Sequence, residues 1–355
     1  MIAMFSNLKK YLTNLFDFDK GGKEMSRKAL IIGVNDYDRI GSLNWCENDA
    51  IGMSQALERD ATGDPNFSVK LLTTNNNTEL KSSYVKSMIQ ELFSGEAEVA
   101  LFYFAGHGGF NENMSEGVIC LQNYDNEEGY IRISDILNWA NKSKIKNKII
   151  VLDSCNSGAA GSDRNIKDES SVIGDGVTIL TACTKQETAQ ENGMDMHGLF
   201  TGLLIEGLLG GASNILGQVT PGSLYSFIDN ALGPWEQRPV FKTNVSEFVC
   251  LRKNIPLVDP SILREIPEWF KDPTDIFPLD PSFEPDRDNI PENLRHIQKN
   301  NNNEEIFKKL QKCNRHGLII PHEAEHMYYA AINSTGCKLT ALGAYYRKLG
   351  LKGYI

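Results

Sequence analysis

Between residues 27 and about 250, short apolar runs alternate with amphipathic stretches, and this alternation restricts the fold more than any other feature of the chain. Runs this short, rich in Val, Ile and Leu and lacking polar alternation, read as strands covered on both faces. That means a mainly parallel sheet with helices on either side. Strands are expected at 28–34, 68–74, 99–105, 148–154 and 177–183, and helices at about 47–60, 78–94, 133–142 and 198–210. A last strand falls within RPVFKTNVSEFVCL, where Pro239 places its start at a sheet edge because proline cannot donate to a ladder. No repeat of fixed period is visible.

The segments on either side differ in kind. Residues 1–26 carry Phe5, Leu8, Leu12, Leu15 and Phe16 at helical spacing beside Lys9 and Lys10, which predicts an amphipathic helix followed by a linker through Gly21 and Gly22. Residues 27–254 form the sheet domain. Residues 255–302 hold eight of the 13 prolines, which predicts an extended connector, laid over the first domain through Trp269, Phe270, Phe277 and Phe283. Residues 303–355 read as three short helices, a small mainly α, winged-helix-like module. Eight Lys and Arg there face four Glu, so the module is net positive on a chain whose total charge is −10. That total argues against nucleic-acid binding by the whole molecule, and leaves DNA contact to 303–355 alone.

In a doubly wound sheet, ligands bind beyond the carboxyl ends of the strands. His107 follows the third expected strand, in AGHGG, and Cys155 follows the fourth, in DSCNSG. If those strands are neighbours, imidazole and thiol meet at one rim. The thiolate is the nucleophile, and a nearby imidazole lets a thiol of ordinary pKa react at neutral pH. The adjoining glycines allow sharp turns, and the N–H groups of Gly108 and Cys155 are candidate donors to an oxyanion. The bland alternative is a packed strand-end cysteine. Cys183 also ends a strand, but TACTK lacks both the glycine and the flanking acid.

With these motifs in place, residues 27–250 resemble the caspase-like cysteine peptidases, the metacaspase and bacterial orthocaspase branch more than animal caspases. The pieces that carry the resemblance are ALIIGVNDY (29–37), LNWCENDA (43–50), FYFAGHGG (102–109), VLDSCNSG (151–158) and HGLFTGLL (197–204). The resemblance implies the α/β caspase–haemoglobinase fold, with a mainly parallel six-stranded sheet. It also implies peptide-bond hydrolysis through an acyl-enzyme, without a cofactor.

By the same resemblance Asp49 and Asp153 line a pocket for an arginine or lysine P1 side chain, beside Cys46 and Ala105. Buried carboxylates are what a cationic guest requires. The competing role for Asp49 is to cap the 47–60 helix. Ala105 stands where metacaspases commonly have serine, which removes one polar contact. GYIRISDIL (129–137) offers Ile133 and Ser134 where calcium-binding relatives place paired aspartates, so calcium-independent activity is expected. The polar loop 159–176 contains Arg164 and Lys167, candidate sites of self-cleavage.

The sharpest decoy is HEAEH (322–326), which satisfies the zinc-peptidase helix pattern. No Asp, Glu or His follows between Met327 and Ile355 to supply a third ligand, so no metal is expected, and Cys313 and His316 make a structural zinc site only on paper. The seven cysteines form no framework, and neither a leader-like start nor a long apolar run is present, which predicts a cytoplasmic protein. The leading expectation is a cysteine endopeptidase acting on protein substrates with basic P1 residues. It is controlled through a protein partner at 303–355 or by self-cleavage, and relatives of this kind act in bacterial cell death or antiviral defence. The alternatives are a catalytically silent caspase-like scaffold and a DNA-binding regulator.

Overall fold

The structure, a computed structural model, describes residues 27–74, 79–111, 116–125, 128–154, 173–182, 196–234, 238–245, 247–286 and 290–355. The N-terminal segment 1–26, Cys155 with the loop holding Arg164 and Lys167, and Cys183 lie outside the described residues. The chain divides into two compact units, one of residues up to 213 with 218–255, the other of 214–217 with 256–355.

In the first unit the strands are β1 Arg27–Gly33, β2 Ser68–Thr73, β3 Val99–Ala105, β4 Gly108–Asn111, β5 Glu116–Cys120, β6 Tyr130–Arg132, β7 Asn147–Asp153, β8 Val177–Thr181, β9 Gln218–Val219, β10 Val240–Asn244 and β11 Arg252–Lys253. Its helices are α1 Cys46–Glu58, α2 Ser82–Leu92, α3 Ile133–Lys142, α4 Leu199–Glu206 with a π-helical turn to Gly211, and α5 Pro221–Leu232. Six strands form the central sheet in the order β10-β8-β7-β3-β1-β2. All pairings are parallel except that of β10, which runs antiparallel on the edge of β8. It begins directly after Pro239, at the edge where a residue without an N–H is tolerated.

Strand periodicity sorts the core into two layers. Leu30, Ile32, Phe102, Phe104, Ile150 and Leu152 face the layer of α2 and α3. Ala29, Ile31, Leu101, Tyr103, Ile149 and Val151 face α1, α4 and α5 through Met53, Leu57, Leu204 and Leu224. Each such aliphatic or aromatic side chain contributes about 1.5–3 kcal/mol on burial, and the middles of β1, β3 and β7 are accordingly apolar. Pro221 and the Thr220–Ser223 capping box fix the start of α5, a helix the sequence reading does not single out. Also unforeseen is the antiparallel β4-β5-β6 sheet, because the expected pattern passes straight from His107 to the helix at 133.

The second unit corrects the expectation of an extended connector. It contains α6 Pro260–Trp269, β12 Ile276–Phe277, α7 Asn301–Arg315, β13 Ile319–Pro321, α8 Met327–Ile332, β14 Cys337–Leu339 and α9 Ala341–Leu351. Pro260 opens α6 at its first position beneath the Asp259 cap, where a missing N–H costs nothing. Phe270, Phe277 and Phe283 belong to this unit's own core with Phe307, Leu310 and Met327, and Trp269 packs against it. The short sheet β12-β14-β13 joins helices of the segment that the sequence reading treats as a small mainly α, winged-helix-like module without naming its strands. HEAEH is not helical: His322 to His326 precede α8, and His326 is its N-cap.

Replacing Phe270, which is fully buried, with alanine should cost about 3–5 kcal/mol of unfolding free energy in this unit. Denaturant titration of the Phe270→Ala protein checks it, and a change under about 1 kcal/mol would restore the connector reading.

Candidate active site

The register of two neighbouring strands sets the geometry. β3 pairs with β7 so that Ala105 lies opposite Asp153, and the chain therefore leaves both strands at one level. The Gly106 N–H donates to the Asp153 carbonyl at 3.2 Å and holds the two exits together. His107 and Cys155 each stand two positions beyond that register pair.

His107 is fixed from three sides. Its backbone N–H donates to the Tyr37 hydroxyl at 2.7 Å. The two rings pack with centroids 4.8 Å apart. Its Nε2 lies 2.8 Å from the Gly41 carbonyl oxygen. A carbonyl only accepts, so Nε2 carries the proton of that bond and the neutral ring keeps its lone pair on Nδ1. An imidazole held in this tautomer can take a proton from a thiol at Nδ1. Burial pushes the Tyr37 hydroxyl well above its ordinary pKa, which keeps it a neutral partner at this position.

Gly108 opens β4 opposite Ile119. The Cys120 N–H bonds the His107 carbonyl at 2.9 Å, which makes Gly108 and Ile119 a non-hydrogen-bonded pair in the antiparallel ladder. The Gly108 N–H therefore points away from β5, the direction an oxyanion donor needs.

The carboxylates converge on the other side of the sheet's carboxyl edge. Period-2 alternation puts Tyr103 and Ala105 of β3 on the face that packs against α1 and α4, and Asp153 shares the parity of Ile149 and Val151 on β7. Asp49 comes from α1. It does not cap that helix, whose N-cap is Trp45 with no side-chain bond. Instead Asp49 Oδ1 accepts from the Gly198 N–H at 3.1 Å and lies 2.9 Å from His197 Nδ1. Asp153 Oδ2 accepts from the Thr201 hydroxyl at 2.6 Å, and Thr201 in turn is 2.6 Å from the Tyr103 hydroxyl. With Thr201 donating to the acid, Tyr103 is the donor to Thr201.

Gly198 reports how close the two acids come. A Cβ built there would sit 3.2 Å from Asp49 Oδ2 and 3.5 Å from Asp153 Oδ2. Its φ of −62° and ψ of 145° suit any residue, so glycine is needed here for space and not for backbone freedom. Both carboxylates also lie at the N-terminal end of α4, where orphan N–H groups favour negative charge.

Electrostatics follow from burial. Desolvation, then the charge of Asp153, push Asp49 up to about 8, opposed by the Gly198 N–H. Desolvation raises Asp153 to about 6 against the Thr201 hydroxyl and N–H. The pair therefore holds a proton that an incoming cation would displace.

Of the other candidate residues, Cys46 starts α1 and is half-buried, and Ala105 is buried at the end of β3 with its carbonyl accepting from Val34. Tyr37, the Gly41 carbonyl, Tyr103, His197, Gly198 and Thr201 were not singled out from sequence. HGLFT held the signal for the last three, since two buried acids demand donors and this motif lies at a helix start. Among the described residues no cluster of His, Cys, Asp and Glu has the form of a metal site.

A family model described as Caspase domain matches residues 26–247. The chain belongs to the caspase family of cysteine peptidases. The crystal structure of caspase-1 from Spodoptera frugiperda is similar at 14% identity and a TM-score of 0.47, over 67% of this chain and 93% of that one. The structure described as pro-sf-caspase-1 is similar at 15% identity and a TM-score of 0.43, over 67% and 97%. Among curated proteins nothing matches. The matched residues 26–247 cover most of the first unit and stop short of 256–355, the bulk of the second.

The Tyr37→Phe substitution leaves the half-buried His107 N–H without its acceptor, a loss of about 1 kcal/mol. Thermal unfolding should show that loss, and an unchanged melting temperature would mean the hydroxyl does not hold the histidine.

Proposed function

We propose that this caspase-family protein is an endopeptidase that cleaves after arginine or lysine, with Cys155 as nucleophile and His107 as base. The observation that carries the specificity is the convergence of Asp49 and Asp153 over Gly198, on the α1 and α4 face of the strand ends that lead to His107 and Cys155. A pocket with one buried and one half-buried acid and, among the described residues, no Lys or Arg paired with either binds a cation and rejects an acidic P1 residue, because the latter would bring three carboxylates together.

In the proposed reaction the Cys155 thiol gives its proton to His107 Nδ1, and the thiolate attacks the scissile carbonyl. The N–H groups of Gly108 and Cys155 receive the oxyanion. Collapse of the intermediate breaks the C–N bond, and the leaving amine takes the proton from the imidazolium. Water, activated by the same Nδ1, then hydrolyses the thioester and restores the thiol.

The five described cysteines are thiols with no disulfide, which suits a reducing cytoplasm, and no described helix is long and apolar enough to cross a membrane. Control by self-cleavage after Arg164 or Lys167, or by a protein partner at the second unit, completes the proposal. A role in cell death or antiviral defence is the setting it fits.

Both acids lose their proton as pH rises, Asp153 through about 6 and Asp49 through about 8. Pocket charge therefore grows with pH. The ratio of kcat/KM for a P1-arginine peptide to that for its neutral P1-citrulline counterpart should climb between about pH 5.5 and 8.5, since the contribution of the Cys–His pair cancels in the ratio. Asp153→Asn should lower the arginine value by about two orders of magnitude and spare citrulline. A flat ratio, or equal turnover of P1-aspartate, refutes the basic pocket. Absence of turnover on every peptide would favour the silent scaffold.

Intact-mass measurement tests processing separately. Wild-type protein should yield fragments ending at Arg164 or Lys167 that the Cys155→Ala protein lacks, and intact wild-type chains under turnover conditions would count against self-cleavage.

A further inference from the structure

His197 has no part in the proposed reaction, yet its ring meets a pocket acid. Nδ1 lies 2.9 Å from Asp49 Oδ1, with the imidazole 28% exposed and the acid 4%. The ring rests over α1 at Gly52, where an added Cβ would fall 3.0 Å from His197 Cε1 and 2.6 Å from Ile205 Cδ1. That lack of a side chain gives the histidine its seat.

The remaining ionisable groups around Asp49 are Asp153 from β7, Tyr103 from β3 and Cys46 on the same helix. None of these is cationic. Glu47, also on α1, bonds Thr74 instead. Among the described residues, the donors facing the Asp49 carboxylate are therefore the Gly198 N–H and the imidazole of the preceding residue.

We propose that His197 is the positioning residue of the basic pocket: its Nδ1–H donates to Asp49 Oδ1, holds that carboxylate in place and turns Oδ2 toward the space above Gly198 where a P1 cation arrives. The proposal rests on the arginine or lysine reading above. A donor to a carboxylate favours its charged form. Burial and Asp153 already push Asp49 up to about 8; without the ring its carboxylate loses a donor, ionises only at still higher pH, and the pocket is charged less often at neutral pH. The loss falls on binding in the ground state and the transition state alike, so it appears in KM and not in kcat.

The test compares wild type, His197→Ala and His197→Asn on a P1-arginine peptide from pH 6.5 to 9. The asparagine amide N–H stands as far along its side chain as imidazole Nδ1 and supplies the same donor. At pH 7 the alanine variant should raise KM about tenfold, as expected for a hydrogen bond to a charged group, with kcat within about twofold of wild type. The gap should close toward pH 9, where Asp49 ionises unaided, and asparagine should recover most of the loss. A fall in kcat at constant KM, or asparagine no better than alanine, overturns the proposal.

A second measurement needs no substrate. Carbon-13 carboxyl titration of Asp49 in the Cys155→Ala background should move the midpoint up by about one pH unit in the alanine variant and return it in asparagine. An unmoved midpoint overturns the proposal even if turnover changes. A midpoint that moves in a protein that cleaves no basic peptide upholds the grip of His197 on Asp49, and only the pocket reading falls.

Discussion

The pairing of β3 with β7 is the constraint on which the site depends. Parallel strands in register leave the sheet at the same height, so Ala105 opposite Asp153 sets the level for everything that follows. A slip of one residue would turn Tyr103, Ala105 and Asp153 to the opposite face and separate the acids from α1 and α4. Near-complete burial of Val99 to Ala105 holds the register, since any slip would also send Leu101 and Phe102 into the wrong layers.

The acids show how a fold accommodates charge that it cannot solvate. Asp49 is buried and Asp153 half-buried on one face of the sheet, and α4 answers them with a backbone N–H, a hydroxyl and its own N-terminal end. The Thr201 hydroxyl both serves Asp153 and receives the buried Tyr103 hydroxyl, so β3, β7 and α4 share a polar chain inside an apolar layer. Such a chain is stable only when every member is satisfied, which makes it a specifying element of the fold.

The sheet was legible because its signal is dense. β3 was expected at the very residues it occupies, and β1, β2 and β7 within one residue at each end. The β4-β5-β6 sheet escaped because its glycines and polar residues carry no apolar period, and its pairing is decided by tertiary contact with α3. Proline density misled over 255–302, because Pro260 marks a helix start and Pro267 rides within α6. Asp49 and Asp153 were found by family pattern. Their partners His197, Gly198 and Thr201 were not, since complementarity between segments 48 to 149 positions apart in the chain leaves no local trace.

The grip on His107 through the Gly41 carbonyl has an evolutionary side. A main-chain oxygen belongs to every amino acid, and the space around the Gly41 α-carbon is open, so nearly any residue at position 41 would preserve the contact. What relatives must keep is the length and path of the loop from 34 to 45. Insertions and deletions there, and not substitutions, are the changes that would disarm the histidine.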